Sequence, residues 1–219
     1  MISATGSAQR NNGLPRTISS DRLLLVEGKD ECVFFAKWLP LILTPTVEIV
    51  NIGGRNQFNN LFPTITKLPG FRDVKRIGII RDAEDNSAST YQSIANTALC
   101  NQIKPPTSAG TIQDSILPYL GIWIMPDNQN PGSIENLCWD IIPRTDPRRL
   151  CTESFIQCVQ NVLTTDALPN RLEKAKVQAY LGTLHKPLRE LGRAAEADVW
   201  DFKHQRLNNL RDFLIQLFK

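Results

Sequence analysis

The sequence predicts an α/β fold with a mostly parallel sheet of four strands, flanked by helices and followed by a C-terminal helical extension. Three observations predict this class. Four short apolar segments are almost continuously hydrophobic, which is typical of strands buried on both faces. Segments of helical character lie between them, as crossover helices do in a doubly wound fold. Beyond the fourth segment, the last third of the chain favours helices alone.

The predicted elements follow in chain order. The apolar segments predict strands at residues 23–26, 47–52, 76–80 and 120–125. The segments between them predict helices at 30–39, 57–67 and 87–100, and a proline-containing stretch at 104–110 predicts a loop. The last third predicts further helices at 134–141, 148–163, 171–184, 187–197 and 207–218.

These elements predict a division of the chain into three parts. Residues 1–20 are polar and are expected to form a flexible N-terminal tail. Residues 21–142 are expected to form the α/β domain, and residues 143–219 a helical cap that packs on its core. The last predicted helix carries six apolar residues at helical spacing, which is typical of a docking face.

Composition narrows the class of protein. The chain has 219 residues and a net charge of +3, which is too small to indicate a nucleic-acid partner without clustering. Its five cysteines include no C-x-x-C pair, which favours reduced thiols, a cytoplasmic location and no structural zinc. The longest apolar stretch is interrupted by Pro40 and is far shorter than the roughly 20 residues of a membrane span.

Acidic residues follow three of the four predicted strands. Glu27 follows the first strand, Asp82 the third and Asp127 the fourth. Ligands of open α/β sheets bind beyond the carboxyl ends of the strands, so these side chains are expected to meet in one crevice. Several carboxylates held together raise one another's pKa unless a hard cation neutralises them. The pattern therefore predicts a Mg²⁺ or Mn²⁺ site of the kind that hydrolyses phosphodiesters.

The predicted metal ligands include further carboxylates close to the strand ends. If the chain stays extended after the third strand, Asp82 and Glu84 share one side of it. Each acidic side chain taken alone could instead be a solvated surface charge or interact with a helix dipole. The full predicted set is Glu27, Glu31, Asp82, Glu84, Asp85, Asp127 and Glu135.

A glycine-rich segment follows the second predicted strand. In NIGGRNQF, the residues Gly53, Gly54 and Arg55 are candidates for a phosphate-binding turn, because backbone amides and a guanidinium suit an anion. A plain strand-to-helix turn is the alternative. The chain contains neither a G-x-G-x-x-G fingerprint nor a G-x-x-x-x-G-K-[ST] loop.

Two segments together resemble a known family. LLLVEGKDE and the later IIRDAED are similar to the toprim domain, the Rossmann-like α/β module of topoisomerases, primases, recombination mediators and OLD-family nucleases. The resemblance implies that Glu27 is the motif glutamate and that Glu31 is the second acidic residue of OLD-like members. It also implies that Asp82, with Glu84 or Asp85, forms the acidic motif. This motif departs from the family pattern of two aspartates, so the second ligand stays open.

The rest of the chain resembles small stand-alone toprim-like proteins related to the OLD nucleases, through MPDNQNPGSIENL and the helical tail. In nucleases of that type a tail lysine assists the chemistry, which implies Lys176 or, second, Lys174. The expected function is therefore Mg²⁺- or Mn²⁺-dependent cleavage of DNA or RNA, with Glu27, Asp82 and Lys176 as catalytic residues. The alternative is a non-catalytic or latent subunit that binds nucleotide, nucleic acid or a protein partner, and self-association is also left open.

Overall fold

The computed structural model describes residues 14–219, except for the side chains of Arg55 and Asn56. Within this range, five strands form one sheet in the order β2-β1-β3-β5-β4. Strands β1, β2, β3 and β5 are parallel, whereas β4 pairs antiparallel with β5. The strands are β1 (Arg22–Val26), β2 (Glu48–Asn51), β3 (Arg76–Asp82), β4 (Ile112–Gln113) and β5 (Tyr119–Met125).

The α/β class and the mostly parallel sheet are confirmed, but the predicted count of four strands is wrong. The strand missing from the prediction is β4, which has only two residues. A segment of two residues shows no hydrophobic periodicity, so no sequence pattern could mark it. It exists because it pairs with β5 along one edge of the sheet.

Helices cover both faces of the sheet. The predicted bounds hold for the helices at 87–100 and 134–141, and the other helices shift by a few residues at their ends. No helix within residues 14–219 is long and apolar enough to cross a membrane. The helices are α1 (Lys29–Ile42), α2 (Gly54–Ile65), α3 (Ser87–Cys100), α4 (Ile134–Ile141), α5 (Pro147–Val162), α6 (Leu172–Gly182), α7 (Leu191–Glu196) and α8 (Asn208–Phe218).

Alternation along the strands creates two separate cores. In β1, Leu24 and Val26 point to one face of the sheet, and Leu23 and Leu25 point to the other. The first face is buried by apolar residues of α1, α4, α6, α7 and α8. The second face is buried by apolar residues of α2 and α3. The parallel strands are therefore covered on both sides, as their continuous hydrophobicity predicts.

The last helix lies directly on the sheet. Helix α8 contacts β3 and β5, where glycines leave room for its side chains. A Cβ atom at Gly121 would lie 2.8 Å from Phe213 Cζ, and one at Gly78 would lie 3.1 Å from Leu217 Cδ2. Residues 143–219 therefore do more than cap an independent domain, because their last helix forms part of one layer of the α/β core.

Two residues of the segment 14–20 are also part of the core. Leu14 and Ile18 are buried with the aliphatic residues of the second face. The backbone N–H of Ile18 donates to the Pro69 carbonyl at 2.8 Å. Residues 14–20 therefore differ from the expected flexible tail, and residues 1–13 of that prediction lie outside the described residues.

Candidate functional site

A cleft of about 470 Å³ lies at the carboxyl edge of the sheet. Glu27 follows β1 and Asp82 ends β3, and these two strands are neighbours in the sheet. The first turns of α1 and α4 add Glu31 and Glu135. The cleft is lined by Glu27, Gly28, Lys29, Asp30, Glu31, Gly54, Asp82, Glu135, Arg171, Lys174 and Glu190.

The Glu27 carboxylate is held firmly at the floor of this cleft. Glu27 is 9% exposed, and its Oε2 accepts a hydrogen bond from the backbone N–H of Asp82 at 3.0 Å. Its Oε1 lies 3.4 Å from Nη2 of Arg81, whose guanidinium also lies over the Phe58 ring. One oxygen of Glu27 is therefore fixed by β3, and the other shares the positive charge of a buried arginine.

Asp82 is buried beside the start of α4. It is 5% exposed, and its Oδ1 accepts a hydrogen bond from the backbone N–H of Ile134 at 3.1 Å. Burial, followed by the charges of Glu27, Glu31 and Glu135, raises the pKa of Asp82 well above its usual range. The positive end of the α4 dipole orients this carboxylate without cancelling the repulsion around it.

Glu31 reaches back from the first turn of α1 to the same cleft. A Cβ atom at Gly28 would lie 2.7 Å from Glu31 Oε2, so the absence of a side chain there makes room for the carboxylate. Burial, together with the charges of Glu135, Glu27 and Asp30, raises the pKa of Glu31 to about 7. The cleft therefore concentrates negative charge that either protons or a cation must relieve.

The residues present suit a hard divalent cation. Within residues 14–219, no three His, Cys, Asp or Glu side chains form a ready-made metal cluster. Mg²⁺, however, is usually bound by one or two carboxylates, several waters and the phosphates of a substrate. Glu27 and Asp82 could provide such a pair of oxygen donors, and Glu31 and Glu135 add negative charge nearby.

The structure does not bring all the predicted ligands into this cleft. Glu84 forms an ion pair with Arg171, and its backbone pairs with Gly132. Its φ of 53° shows that the chain leaves the extended conformation at Glu84, so the expectation that Asp82 and Glu84 share one side of an extended segment is wrong. Asp85 is exposed and lies outside the cleft lining.

Asp127 lies in a separate turn after β5. Its carboxylate accepts hydrogen bonds from the backbone N–H groups of Gln129 and Asn130, and lies 3.2 Å from Nη2 of Arg206. Although partial burial would raise the pKa of Asp127, these hydrogen bonds lower it on balance. Its charge is thus already compensated, and it lines a different cavity from Glu27 and Asp82.

Comparison with known families places the chain in a group without an assigned activity. A family model described as "Protein of unknown function (DUF3226)" matches residues 21–219. The chain belongs to the DUF3226 family. Searches of curated proteins and of solved structures returned no match. The DUF3226 match includes Glu27 and Asp82 at the strand ends, and also Arg171 and Lys174 in the helical extension.

The tail lysines of this DUF3226 protein lie in different surroundings. Nζ of Lys176 is 4.4 Å from the centre of the Trp139 ring and 3.7 Å from a carboxylate oxygen of Glu173. Lys174 lines the cleft together with Arg171. The second of the two predicted lysines is therefore the one that lies with the acidic residues.

The predicted phosphate-binding turn leads from β2 into α2. Gly53 and Gly54 both have positive φ, of 68° and 54°. The N–H of Gly53 donates to Asn51 Oδ1 at 2.7 Å, and the N–H of Gly54 donates to the Glu27 carbonyl at 2.8 Å. Both amides therefore donate within the protein, and the Arg55 side chain lies outside the described residues. Gly54 thus holds the backbone of Glu27 and also lines the cleft.

Sequence reasoning missed four charged residues of the DUF3226 cleft: Lys29 and Asp30, which directly precede Glu31 in α1, and Arg171 and Glu190. Arg171 and Glu190 come from the helical extension and lie far along the chain from the strand ends. No local motif marks them, because they reach the cleft only through the packing of α6 and α7 on the rest of the fold. A helix N-terminal position was the only available signal, since Arg171 directly precedes α6 and Glu190 directly precedes α7.

Proposed function

We propose that this DUF3226 protein is a divalent-metal-dependent phosphodiesterase of the toprim type that acts on DNA or RNA. The observation that carries the proposal is the meeting of Glu27 and Asp82, from neighbouring parallel strands, in a cleft that also contains Glu31 and Glu135. The resemblance of the Glu27 and Asp82 segments to toprim motifs supports the same reading. The cleft also lies at the carboxyl edge of the sheet, which is where open α/β sheets bind ligands.

Glu27 and Asp82 have roles that follow from their contacts. Glu27 and Asp82 would hold Mg²⁺ or Mn²⁺, which when bound supplies charge stabilisation and a more acidic water. The Asp82 N–H fixes the Glu27 carboxylate, and the Ile134 N–H fixes the Asp82 carboxylate. These hydrogen bonds hold both oxygen donors in place before a substrate arrives, so little reorganisation is required.

Positive side chains at the cleft would act on the nucleic acid itself. Arg171 and Lys174 line the cleft that contains the carboxylates. A phosphodiester brings negative charge to a site that is already acidic, so cationic side chains are needed to attract and orient it. Arg171 can exchange its contact with Glu84 for a contact with phosphate, because guanidinium binds both kinds of oxygen anion.

A nuclease assay with matched variants tests the proposal. Purified protein is incubated with labelled single- and double-stranded DNA and RNA in Mn²⁺, in Mg²⁺ and in chelator. We expect cleavage by the wild type and by Asp85→Asn, because Asp85 is exposed and outside the cleft. We expect none from Glu27→Gln or in chelator. Cleavage that persists in Glu27→Gln would identify a contaminant, and the absence of cleavage from the wild type on every substrate would refute the proposal.

One observation favours a second function. Nη2 of Arg81 lies 3.4 Å from Glu27 Oε1, and Arg171 is paired with Glu84, so arginines already compensate two of the expected ligands. Such a site suits a non-catalytic or latent subunit that binds nucleotide, nucleic acid or a protein through the same cleft. Calorimetric titration separates the two functions. Binding of Mg²⁺ or Mn²⁺ without hydrolysis of any phosphodiester would favour this second function.

A further inference from the structure

Helix α5 presents apolar residues on two sides. Its inner side is buried and includes Thr152 and Ile156. Its outer side carries an exposed row of four side chains, which we call the α5 stripe: Cys151, Phe155, Cys158 and Val162. Phe155 is 57% exposed and Val162 is 74% exposed. Helices that only cover a core have polar residues on the outer side, so the α5 stripe requires a separate explanation.

The spacing of the α5 stripe is that of a helix-pairing seam. Its members are separated by four, three and four residues, which places them in one line along the helix. The outer residues beside this line include Ser154 and Asn161, which are polar but uncharged. Phe155 alone exposes roughly 100 Å² of surface. Exposed apolar surface that is continuous over several turns marks an interaction site.

We propose that the α5 stripe is the surface through which two copies of this chain associate, with the two α5 helices antiparallel about a two-fold axis. The spacing is self-complementary under that operation. An axis that passes between Ile156 and Gln157 places Phe155 against Cys158 of the second copy. The same axis places Cys151 against Val162 of the second copy. Each apolar residue of the stripe thus meets an apolar residue, as an isologous interface requires.

Charges at the two ends of α5 favour a second copy as the occupant. Arg148 lies at the N-terminal end of the helix, where its guanidinium is about half exposed, and Asp166 is exposed just beyond the C-terminal end. The antiparallel register set by the α5 stripe directs the end of α5 that carries Arg148 toward the end that Asp166 follows in the second copy, twice in the dimer. Within its own chain, Arg148 lies 3.7 Å from Asp146. Antiparallel helices also align their dipoles favourably. The register that pairs the apolar residues therefore also brings ends of opposite charge toward each other.

Sedimentation equilibrium with a matched control tests this proposal. We expect the wild type to be a dimer at micromolar concentrations. Phe155→Lys and, separately, Val162→Glu should weaken dimerisation at least about tenfold, the equivalent of losing one buried apolar side chain. Leu99→Lys, at a site on α3 that is also 57% exposed, should leave the dimer unchanged. A monomeric wild type, or a dimer that survives both stripe substitutions, would overturn the proposal.

Thiol cross-linking tests the register. The axis brings the two copies of Cys158 close together and leaves the two copies of Cys151 several helical turns apart. In a Cys100→Ser background, a short bis-maleimide should therefore cross-link two chains through Cys158, and adding Cys151→Ser should not reduce the yield. Adding Cys158→Ser should abolish it. Cross-linking that depends on Cys151 instead would overturn the antiparallel pairing.

Discussion

Charged residues have opposite effects on stability at the two ends of the parallel strands, the amino edge and the carboxyl edge of the sheet. At the amino edge, Arg22 and Arg76 donate hydrogen bonds to the carbonyls of Phe218 and Leu217, at 3.0 and 2.8 Å. Their charges thus satisfy the C-terminal end of α8, where positive groups are favourable. At the carboxyl edge, Glu27 and Asp82 lie among other carboxylates, and the pKa of Asp82 is raised. Charge therefore stabilises the fold at one edge and opposes it at the other.

We expect the largest effect on stability from a substitution in α8, the helix whose C-terminal carbonyls bond to the arginines of the amino edge. Leu217 is fully buried against Gly78 and Gly121. Leu217→Ala should lower the free energy of unfolding by about 2–5 kcal/mol, because it removes apolar contacts and leaves a cavity. Urea denaturation measures the change. Ile215→Ala, on the outer side of the same helix, is the control and should lower it by about 1 kcal/mol or less, because Ile215 is 38% exposed. Equal effects of the two substitutions would mean that α8 does not form a layer of the core.

At the carboxyl edge, a charge-removing substitution should affect metal binding and spare the fold. Asp82→Asn keeps an oxygen that can accept from the Ile134 N–H but removes a negative charge. We expect the affinity for Mn²⁺ to fall roughly a hundredfold or more, since even second-shell changes cost 10- to 100-fold. Calorimetry measures the affinity. Asp127→Asn is the control, because Asp127 lies in another cavity. Equal losses in the two variants would argue against a metal site at Glu27 and Asp82.

The sequence predicted the part of this site that depends on the order of the strands. It did not predict the part that depends on the geometry of the loops after them. Glu27 directly follows β1 and Asp82 ends the neighbouring parallel strand β3, so the rule for strand ends was sufficient to predict that they meet. Glu84 and Asp127 depend on the backbone after the strand. The positive φ of Glu84 and the turn that binds the Asp127 carboxylate redirect both side chains, and no hydrophobic pattern encodes either feature.

In the fold, too, the features that have a hydrophobic sequence pattern were predicted and those that depend on packing between distant segments were not. Continuous apolar segments predicted β1, β2, β3 and β5, because burial on both faces leaves that signature. The place of α8 in a sheet layer was missed, although its apolar face was predicted. The signal for it lay elsewhere, in Gly78 and Gly121, which leave the sheet surface flat where Phe213 and Leu217 pack. Such complementarity between distant segments is visible only after the chain is folded.

The carboxylates at the carboxyl edge should also make the free energy of unfolding depend on pH. The pKa of Glu31 is raised from 4.5 to about 7, mainly by burial, and the pKa of Asp82 is raised as well. The folded protein therefore binds more protons than the unfolded chain between about pH 4.5 and 7, and its stability falls as pH rises through that window. Urea denaturation in chelator measures this fall. Glu31→Gln should make it shallower, and an unchanged slope would contradict the assigned cause.

The smallest effect on stability is expected from the Arg171–Glu84 ion pair at the cleft. Arg171 is half exposed, so Arg171→Ala should change the free energy of unfolding by no more than about 1 kcal/mol. The substitution should have opposite effects on the binding of cations and anions, because it removes one positive charge that lines the cleft and frees the Glu84 carboxylate. Binding of Mn²⁺ should strengthen, whereas binding of single-stranded DNA should weaken and lose about one unit of salt dependence.

Fluorescence anisotropy at several salt concentrations, with calorimetry for Mn²⁺, measures both effects of Arg171→Ala. Arg193→Ala is the matched control, because Arg193 is also exposed and paired with a glutamate, Glu196, but does not line the cleft. Opposite changes for the cation and the anion, seen at Arg171 only, would mean that one cleft holds the metal and the phosphate together. Parallel changes for both ligands would instead mean that Arg171 acts on the shape of the cleft, and the assignment of Arg171 to phosphate binding would be wrong.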